Sequence, residues 1–551
     1  MRSQSSSPFH LDTRQVSFQI ATHADGQTSR SRRTHASDPA VGLPYRSRTG
    51  AIVAAEGRRR GIPSAVRAVS SVSLWTDREV PLVTTWNPQN PVTVSLRRLL
   101  RSASFVGCGD VQVTDATDRS DQCGPGVLFA ALPGTRTHGQ NHIAEAVARG
   151  ARAVLVERPL VDVNIPQCVV PDARRAYGLV CAALAGAPAT RLKIVGVTGT
   201  NGKSTVTWLI RSILETAGFP TGLLGTIEYH DGRRRQPATL TTPDPRTLFR
   251  WLSRMASNGT THAAIEVSSH ALDQHRIAGL HLDAAVITNI THDHFDYHGT
   301  FESYRSAKRR ILESCRPGAT VVINRDDPGA WSLREAVPSE LRAVSYGIEQ
   351  PADVSARVLE LSLAGSRFLL QIAEDSIEVE TPLLGPHNVS NCLAAAAVAR
   401  GWGLSLETIA EGIRKQDGVP GRLERIDSGQ PFTVLVDYAH TPDALEKCLA
   451  SVRRLTAGRL ICVFGAGGDR DRTKRPELGR AAMRSDVIVV TSDNPRTEPP
   501  DRIIADVLDG IDSTRCVCHV EPDRRAAIVW AIENARPNDC VLIAGKGHET
   551  T

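Results

Sequence analysis

The sequence predicts an α/β protein in three domains, and three observations carry that reading. Its 551 residues suffice for three or four domains of ordinary size. Short apolar strands alternate with helical stretches along most of the chain, which indicates βαβ units and mostly parallel sheets. Polar and glycine-rich clusters follow successive strands, on the edge where open α/β sheets bind ligands. Composition agrees: 41% hydrophobic and 23% charged residues give material for several cores without disulfides or a structural metal. A net charge of +6 is too dilute over this length to argue for nucleic acid. No run of 18 apolar residues occurs, so no membrane insertion is expected. The eleven cysteines are scattered without CxxC spacing and read as buried or idle thiols in a reducing cytoplasm.

The elements follow in order. Residues 1–91 precede the regular patterning. Within them, residues 1–60 hold ten Arg, no Lys and four acidic residues. Such a stretch cannot build a core and reads as disordered, either a transit peptide or a mis-assigned start. Its ten Arg minus four acids equal the whole net charge, so the remaining chain is formally neutral. A first domain, 92–190, opens with VTVSLRRLL, a strand or short helix. It continues through the strand PGVLFAAL (125–132), a helix at 142–151 and the strand AVLVE (153–157), and ends in a linker, APATRL (187–192). A second, 191–417, has the strand LKIVGV (192–197), a glycine-rich turn and a helix at 204–218, then strands at 263–267, 285–289 and 320–324. A third, 418–551, repeats the rhythm with strands at 433–437, 460–464, 487–491 and 540–544. After these come Tyr438-Ala439-His440, Gly465 to Gly468, Ser492-Asp493-Asn494 and Gly545 to His548. Structural turns would also hold Gly and Asn, but four such clusters on one edge point to a ligand.

The most informative run is GVTGTNGKST, Gly196 to Thr205, between a strand and a helix. Glycines let backbone N–H groups converge on phosphate oxygens, and a helix N-terminus adds its dipole. Lys203 can reach terminal phosphates and the Ser204 hydroxyl can ligate Mg²⁺; an ordinary βα turn is the alternative. Gly196 stands one residue further from Lys203 than GxxxxGK[ST] requires.

That offset form, GxxGTNGK[ST], resembles the Mur ligase family, the ATP-dependent amide-forming enzymes of peptidoglycan precursor synthesis, with their folylpolyglutamate synthase relatives. The resemblance runs over most of residues 93–551. It implies an N-terminal UDP-binding α/β domain, a central P-loop ATPase domain with a mostly parallel sheet, and a C-terminal Rossmann-like α/β domain. It also implies a cytoplasmic protein, read as a monomer, with ATP and Mg²⁺ as cofactors. Gly199, Thr200, Asn201, Gly202, Lys203, Ser204 and Thr205 would hold the phosphates.

Downstream, EVSSHALDQHR (266–276), TNITHDHFDYHG (288–299) and SYRSAKRR (303–310) extend the match. Mg²⁺ favours oxygen ligands and few protein side chains, so Glu266 after a strand suits it. By resemblance Ser204 and Glu266 hold one magnesium, and His294 helps hold a second. The position of Lys308 is carboxylated by CO₂ in this family, which turns a cation into a carboxylate beside that metal. Lys203, Glu266, His294 and Lys308 are the implied catalytic set. Asn388 and Asn391 share a helix face where amides can reach adenine. Arg422 in GRLE suits phosphate, and Asp437 in VDYAHTPDAL contacts the nucleotide by resemblance. A solvated face, an N-cap or a salt bridge competes with each reading taken singly.

TLTTPDP (239–245) resembles the acceptor loop of the family's third-step members. Thr241, Thr242, Ser268, His270 and Arg276 would then face UDP-MurNAc-L-Ala-D-Glu. DNPR, Asp493 to Arg496, with GKGHE, 545–549, resembles the meso-diaminopimelate-adding type. An Arg fork can take the distal carboxylate bidentately and a carboxylate can take the ammonium. Asp493, Asn494, Arg496, Gly545 and Glu549 are assigned to that end. A lysine-adding ligase, a folylpolyglutamate synthase and a binding-only paralogue are the rivals. Two departures stand out. Arg119-Ser120-Asp121 replaces the family's DSR triplet, keeping Ser120 for UDP. The chain also stops after GKGHET, where relatives usually continue, so the last strand is expected to lack a packing partner.

Overall fold

A five-stranded, an eleven-stranded and a six-stranded sheet, with one two-stranded ribbon, organise the computed structural model, which describes residues 92–134 and 137–549. The Arg-rich stretch within 1–91 lies outside the described residues. The ambiguous VTVSLRRLL is both things read from it: strand Val94–Ser95 runs into helix Leu96–Leu99, with Ser95 capping the Arg98 amide at 3.2 Å. In the five-stranded sheet, Asp115–Thr117, Val127–Ala130, Ala153–Val156 and Gln167–Val169 pair in parallel, and Ser104–Val106 joins antiparallel.

The eleven-stranded sheet has a parallel centre. Strand Lys193–Thr198 lies between His262–Glu266 and Leu282–Ile287, and the parallel block continues through Cys315–Asn324 and Arg342–Gly347. The glycine-rich turn therefore leaves the middle of the sheet, and Glu266 pairs with Val197 at the same edge. A meander of three long strands, Val354–Ser362, Gly365–Ile372 and Asp375–Thr381, closes one side antiparallel.

Helix Lys203–Thr216 forms because Val206, Leu209, Ile210, Ile213 and Leu214 recur at helical spacing and bury one stripe on this sheet. Helix Pro386–Gly401 is apolar on every face from Cys392 to Ala399 and is buried there, Ala394 to Ala397 included. On the opposite face one core runs without interruption from Leu128 and Tyr177 to Phe249 and Ile287, so the first two sheets share their packing. Arg246 and Arg250 also pair with Asp115 across that junction.

In the six-stranded sheet the four strands Thr433–Asp437, Cys540–Ala544, Leu460–Phe464 and Val487–Val490 are mutually parallel neighbours. All four polar clusters therefore sit on one edge. Cys540–Ala544 is bonded on both sides, and Cys540, Val541, Leu542 and Ala544 are buried.

Two histidines near the central sheet give a testable pH response. Burial pushes His230 and His262 down to about 4 from 6.5, with Arg211 and Arg235 adding to the first and Lys193 to the second. Between those values the unfolded chain binds protons that the native rings refuse, so stability falls as pH drops from 6.5 to 4. Melting temperature against pH should show that fall, and His262→Phe should shrink it; an unaltered profile in the variant would refute the assignment.

Candidate active site

The site begins with the turn after Lys193–Thr198. Gly202, at φ +85°, opens the helix, a conformation that favours glycine, and a Cβ there would strike the Asn391 amide oxygen at 2.5 Å. Asn391 donates to Asn388 at 3.0 Å, and Asn388 donates to the Leu384 carbonyl at 2.9 Å. Both amides are thus held against the loop rather than in solvent. Lys203 Nζ donates to the Gly199 and Thr200 carbonyls at 3.0 and 2.9 Å. Burial holds its ammonium below the usual lysine range, against the pull of Glu266 and Asp293. Asn201 is tethered by its amide to the Asn289 side chain at 2.8 Å, and the Thr200 and Tyr304 hydroxyls lie 3.0 Å apart.

Lys308 reaches the same loop from helix Phe301–Arg309. It is 1% exposed, and its Nζ donates to the Gly199 carbonyl at 2.8 Å, the oxygen that also accepts from Lys203. Burial first, and the Lys203 cation second, push its amine well below the ordinary lysine range. A neutral buried amine is the form that can attack CO₂.

Glu266 is fully buried, and its carboxylate accepts from the Thr226 amide at 2.9 Å and the Thr226 hydroxyl at 2.8 Å. The Thr241 hydroxyl lies 3.2 Å from that of Thr226. Thr242 donates to the Glu266 carbonyl at 2.9 Å and accepts from the Ser268 amide at 3.0 Å, which pins the acceptor loop to the strand end. Arg276 donates to the Thr242 carbonyl at 3.0 Å. His270 packs against Tyr297 with the rings tilted and their centroids 4.1 Å apart, and meets His294 edge-on at 5.0 Å. His294 has a left-handed backbone, φ +54°, and lies 3.3 Å from Asp293. Desolvation pushes its half-buried ring down to about 4, with Asp293 opposing.

Two adjoining clefts, of about 350 and 220 Å³, share Asp118, Leu132 and Arg174. The first is lined by Ser120 and His142, the second by Leu240, Asp244 and Arg276, so Ser120 and the acceptor loop face one continuous depression. Ser120 donates to Glu145 at 2.7 Å, while Asp121 pairs with Arg119. Asp118, not Asp121, lines both clefts; burial and the facing Asp244 raise its carboxyl.

The six-stranded sheet supplies the remaining wall. Arg422 comes within 3.5 Å of the Ser204 hydroxyl and lies over the Tyr438 ring at 4.5 Å. Asp437 instead turns to its own chain, accepting from the Leu423 and Ala439 amides at 2.7 and 2.8 Å. Asn494 bridges two residues of the last loop, donating to Glu549 at 3.2 Å and accepting from Lys546 at 2.7 Å; Lys546 also lies 3.5 Å from Asp493. Gly545 packs against Asp493. Arg496, exposed and at φ +52°, donates to the Gly468 carbonyl at 2.6 Å. Beneath it the buried Arg475 holds Glu498 at 2.6 Å and Asp506 at 2.8 Å. That pairing drives the Glu498 carboxyl down to about 2 and braces the loop.

Several neighbours carry no sequence signal. Thr226 follows an unremarkable strand, and Arg524 reaches the Ala544 carbonyl at 2.7 Å from a helix start. His548 and Lys546 stand inside a quoted motif, yet only the fold shows what they touch.

Among known proteins the chain matches the Mur ligase middle domain over residues 197–399, the glutamate ligase domain of Mur ligases over 421–547, and the Mur ligase family catalytic domain over 117–183. A UDP-N-acetylmuramoyl-L-alanyl-D-glutamate–2,6-diaminopimelate ligase of Geobacillus thermodenitrificans is 44% identical over 433 residues, 77% of this chain and 88% of that protein. The ligase of the same name from Solibacter usitatus is 45% identical over 443 residues, 80% and 89% of the two chains. A solved structure of a ligase with this name superposes with a TM-score of 0.61 at 35% identity, covering 83% of this chain and 94% of the other.

Proposed function

The chain belongs to the Mur ligase family, and from that premise we propose a residue-level account of the reaction it carries out. It is an ATP-dependent ligase of peptidoglycan precursor synthesis that joins diaminopimelate to UDP-MurNAc-L-Ala-D-Glu. The observation that carries the account is the convergence of Lys203, Lys308, Glu266 and Arg422 on one loop, beside an acceptor cleft on one side and DNPR with GKGHE on the other.

ATP transfers its γ-phosphoryl group to the D-glutamyl carboxylate, giving ADP and an acyl phosphate. An amine of meso-diaminopimelate then attacks the acyl carbon, loses a proton and expels phosphate, leaving the amide. Lys203 leaves its loop carbonyls for the phosphoryl oxygens, and Arg422 approaches the same group from the last sheet. Asn388 and Asn391 line the adenine side. Ser120, Thr241, Thr242, Ser268, His270 and Arg276 hold the acceptor along the double cleft.

The donors present suit Mg²⁺. Ser204, Glu266 and His294 offer a hydroxyl, a carboxylate and an imidazole, and no cluster of three His, Cys, Asp or Glu forms a self-contained metal site among the described residues. When bound, Mg²⁺ supplies charge neutralisation at the phosphates. Mg²⁺ favours oxygen over an amine nitrogen, so Lys308 would contribute to holding it as the carbamate, which would also pair with Lys203. The working compartment is the cytoplasm and the enzyme is a monomer.

Asn494 and Arg496 take the distal carboxylate of diaminopimelate, and Asp493, Gly545 and Glu549 recognise the same end, where a carboxylate can take the ammonium. Arg496→Ala should raise KM for diaminopimelate about 10–100-fold, the worth of a charge-assisted pair, and leave KM for ATP in place. Phosphate release with the acceptor, ATP, Mg²⁺ and either diaminopimelate or lysine tests the whole account. Release with lysine alone would overturn the assigned specificity, and release with neither would leave a binding protein.

A further inference from the structure

Glu266 is held by a residue that belongs to none of the recognised motifs. Thr226 donates to one Glu266 oxygen through its amide, 2.9 Å, and to the other through its hydroxyl, 2.8 Å. The approach depends on Gly225, where a Cβ would collide with the carboxylate. A buried carboxylate clasped at both oxygens has one orientation left, with its remaining lone pairs directed away from Thr226. Thr226 has a further neighbour: its hydroxyl lies 3.2 Å from that of Thr241 on the acceptor loop. The ring of His548, on the loop that carries Gly545 and Glu549, lies 5.3 Å from that of Tyr438.

We propose that Thr226 is a positioning residue: it sets the orientation of Glu266 and ties it to the acceptor loop through Thr241. The inference rests on the functional reading above, since it takes Glu266 as a metal ligand. One hydroxyl then meets both the carboxylate and the acceptor loop. Ordering of the acceptor loop is felt at the carboxylate through a shared hydroxyl, and by linkage the ion's occupancy is felt at the acceptor loop.

The test is Mn²⁺ binding to the full-length protein with a non-hydrolysable ATP analogue, read by electron paramagnetic resonance without turnover. Thr226→Val keeps the amide and removes the hydroxyl. It should weaken Mn²⁺ about tenfold, and Thr226→Ser should restore most of the loss. In the wild type, UDP-MurNAc-L-Ala-D-Glu should tighten Mn²⁺ binding, and Thr226→Val should abolish that enhancement. At acceptor concentrations that saturate each protein, Thr241→Ser should keep the enhancement and Thr241→Val should lose it; this pair carries the test if Thr226→Val does not fold. Wild-type Mn²⁺ affinity in a folded Thr226→Val, or full enhancement in Thr241→Val, overturns the proposal. Amide formation by the wild type is measured separately, and its absence would sink the functional reading whatever the Mn²⁺ titrations give.

Discussion

Lys308→Met should lower kcat by about 10²–10³-fold, the cost of removing one preorganised charge from a phosphoryl-transfer site, without lowering the melting temperature in bicarbonate-free buffer. The two halves of that expectation come from one environment. Lys308 is buried, has no carboxylate at hydrogen-bond distance among the described residues, and shares the Gly199 carbonyl with Lys203. As an ammonium it would be a buried cation facing another; as an amine it has surrendered its proton. Burial and Lys203 lower its pKa from 10.5. The unfolded chain therefore binds a proton that the native amine does not, and native stability rises with pH until 10.5. Methionine, of similar length and uncharged, removes this cost and should flatten that slope. Activity is a separate matter. The neutral amine can add CO₂, forming an N–C bond and releasing a proton, and the carbamate then pairs with Lys203. A ¹³C carbamate resonance from labelled CO₂ should appear in the wild type and not in Lys308→Met. Full activity in a folded Lys308→Met would remove the residue from the mechanism.

The legible and illegible parts of this protein divide by range. The phosphate loop, the DNPR turn and the GKGHE loop follow strands that announce themselves by short apolar runs, and parallel pairing carries such turns to one edge automatically. Glu266 was legible for the same reason, being the last residue of its strand. The meander from Val354 to Thr381 was not assigned, because its alternating residues belong to a half-exposed antiparallel flank and lack the strand–helix rhythm of the parallel block. Thr226, Arg524 and the contacts of His548 were illegible for a deeper reason. Each acts on a residue 20 or more positions away, Thr226 on Glu266 and Arg524 on the Ala544 carbonyl, and nothing local marks the encounter. Asp437 is engaged in a way its motif does not announce: the amides of Leu423 and Ala439 each donate to one of its oxygens. Asp118 stands outside the aligned triplet, and only the fold shows that it lines both clefts.

Lys203→Met should cost a similar factor of about 10²–10³ in kcat, and its coupling to Lys308 discriminates this mechanism from a simple loss of nucleotide affinity. In the described structure the Lys203 ammonium rests on two carbonyls of its own loop. Those acceptors fix it near the position where phosphoryl oxygens gather, so a bound nucleotide exchanges two neutral acceptors for anionic ones. Arginine is not an equivalent replacement: a planar guanidinium does not fit the place of a compact ammonium, between a loop whose Gly202 is already against Asn391 and the buried Lys308. Lys203 is also a cation that, after burial, lowers the Lys308 pKa, and it is the one placed to stabilise its carbamate. Removing it raises the Lys308 pKa and withdraws the partner of the modified form. Lys203→Met should therefore diminish the ¹³C carbamate resonance as well as turnover, although the modified residue is untouched. The double variant Lys203→Met with Lys308→Met should lose far less than the product of the single losses, as groups acting as one unit do. Multiplicative losses with a carbamate resonance of wild-type intensity in Lys203→Met would mean that the two lysines act independently, and the shared Gly199 carbonyl would then be geometry without chemistry.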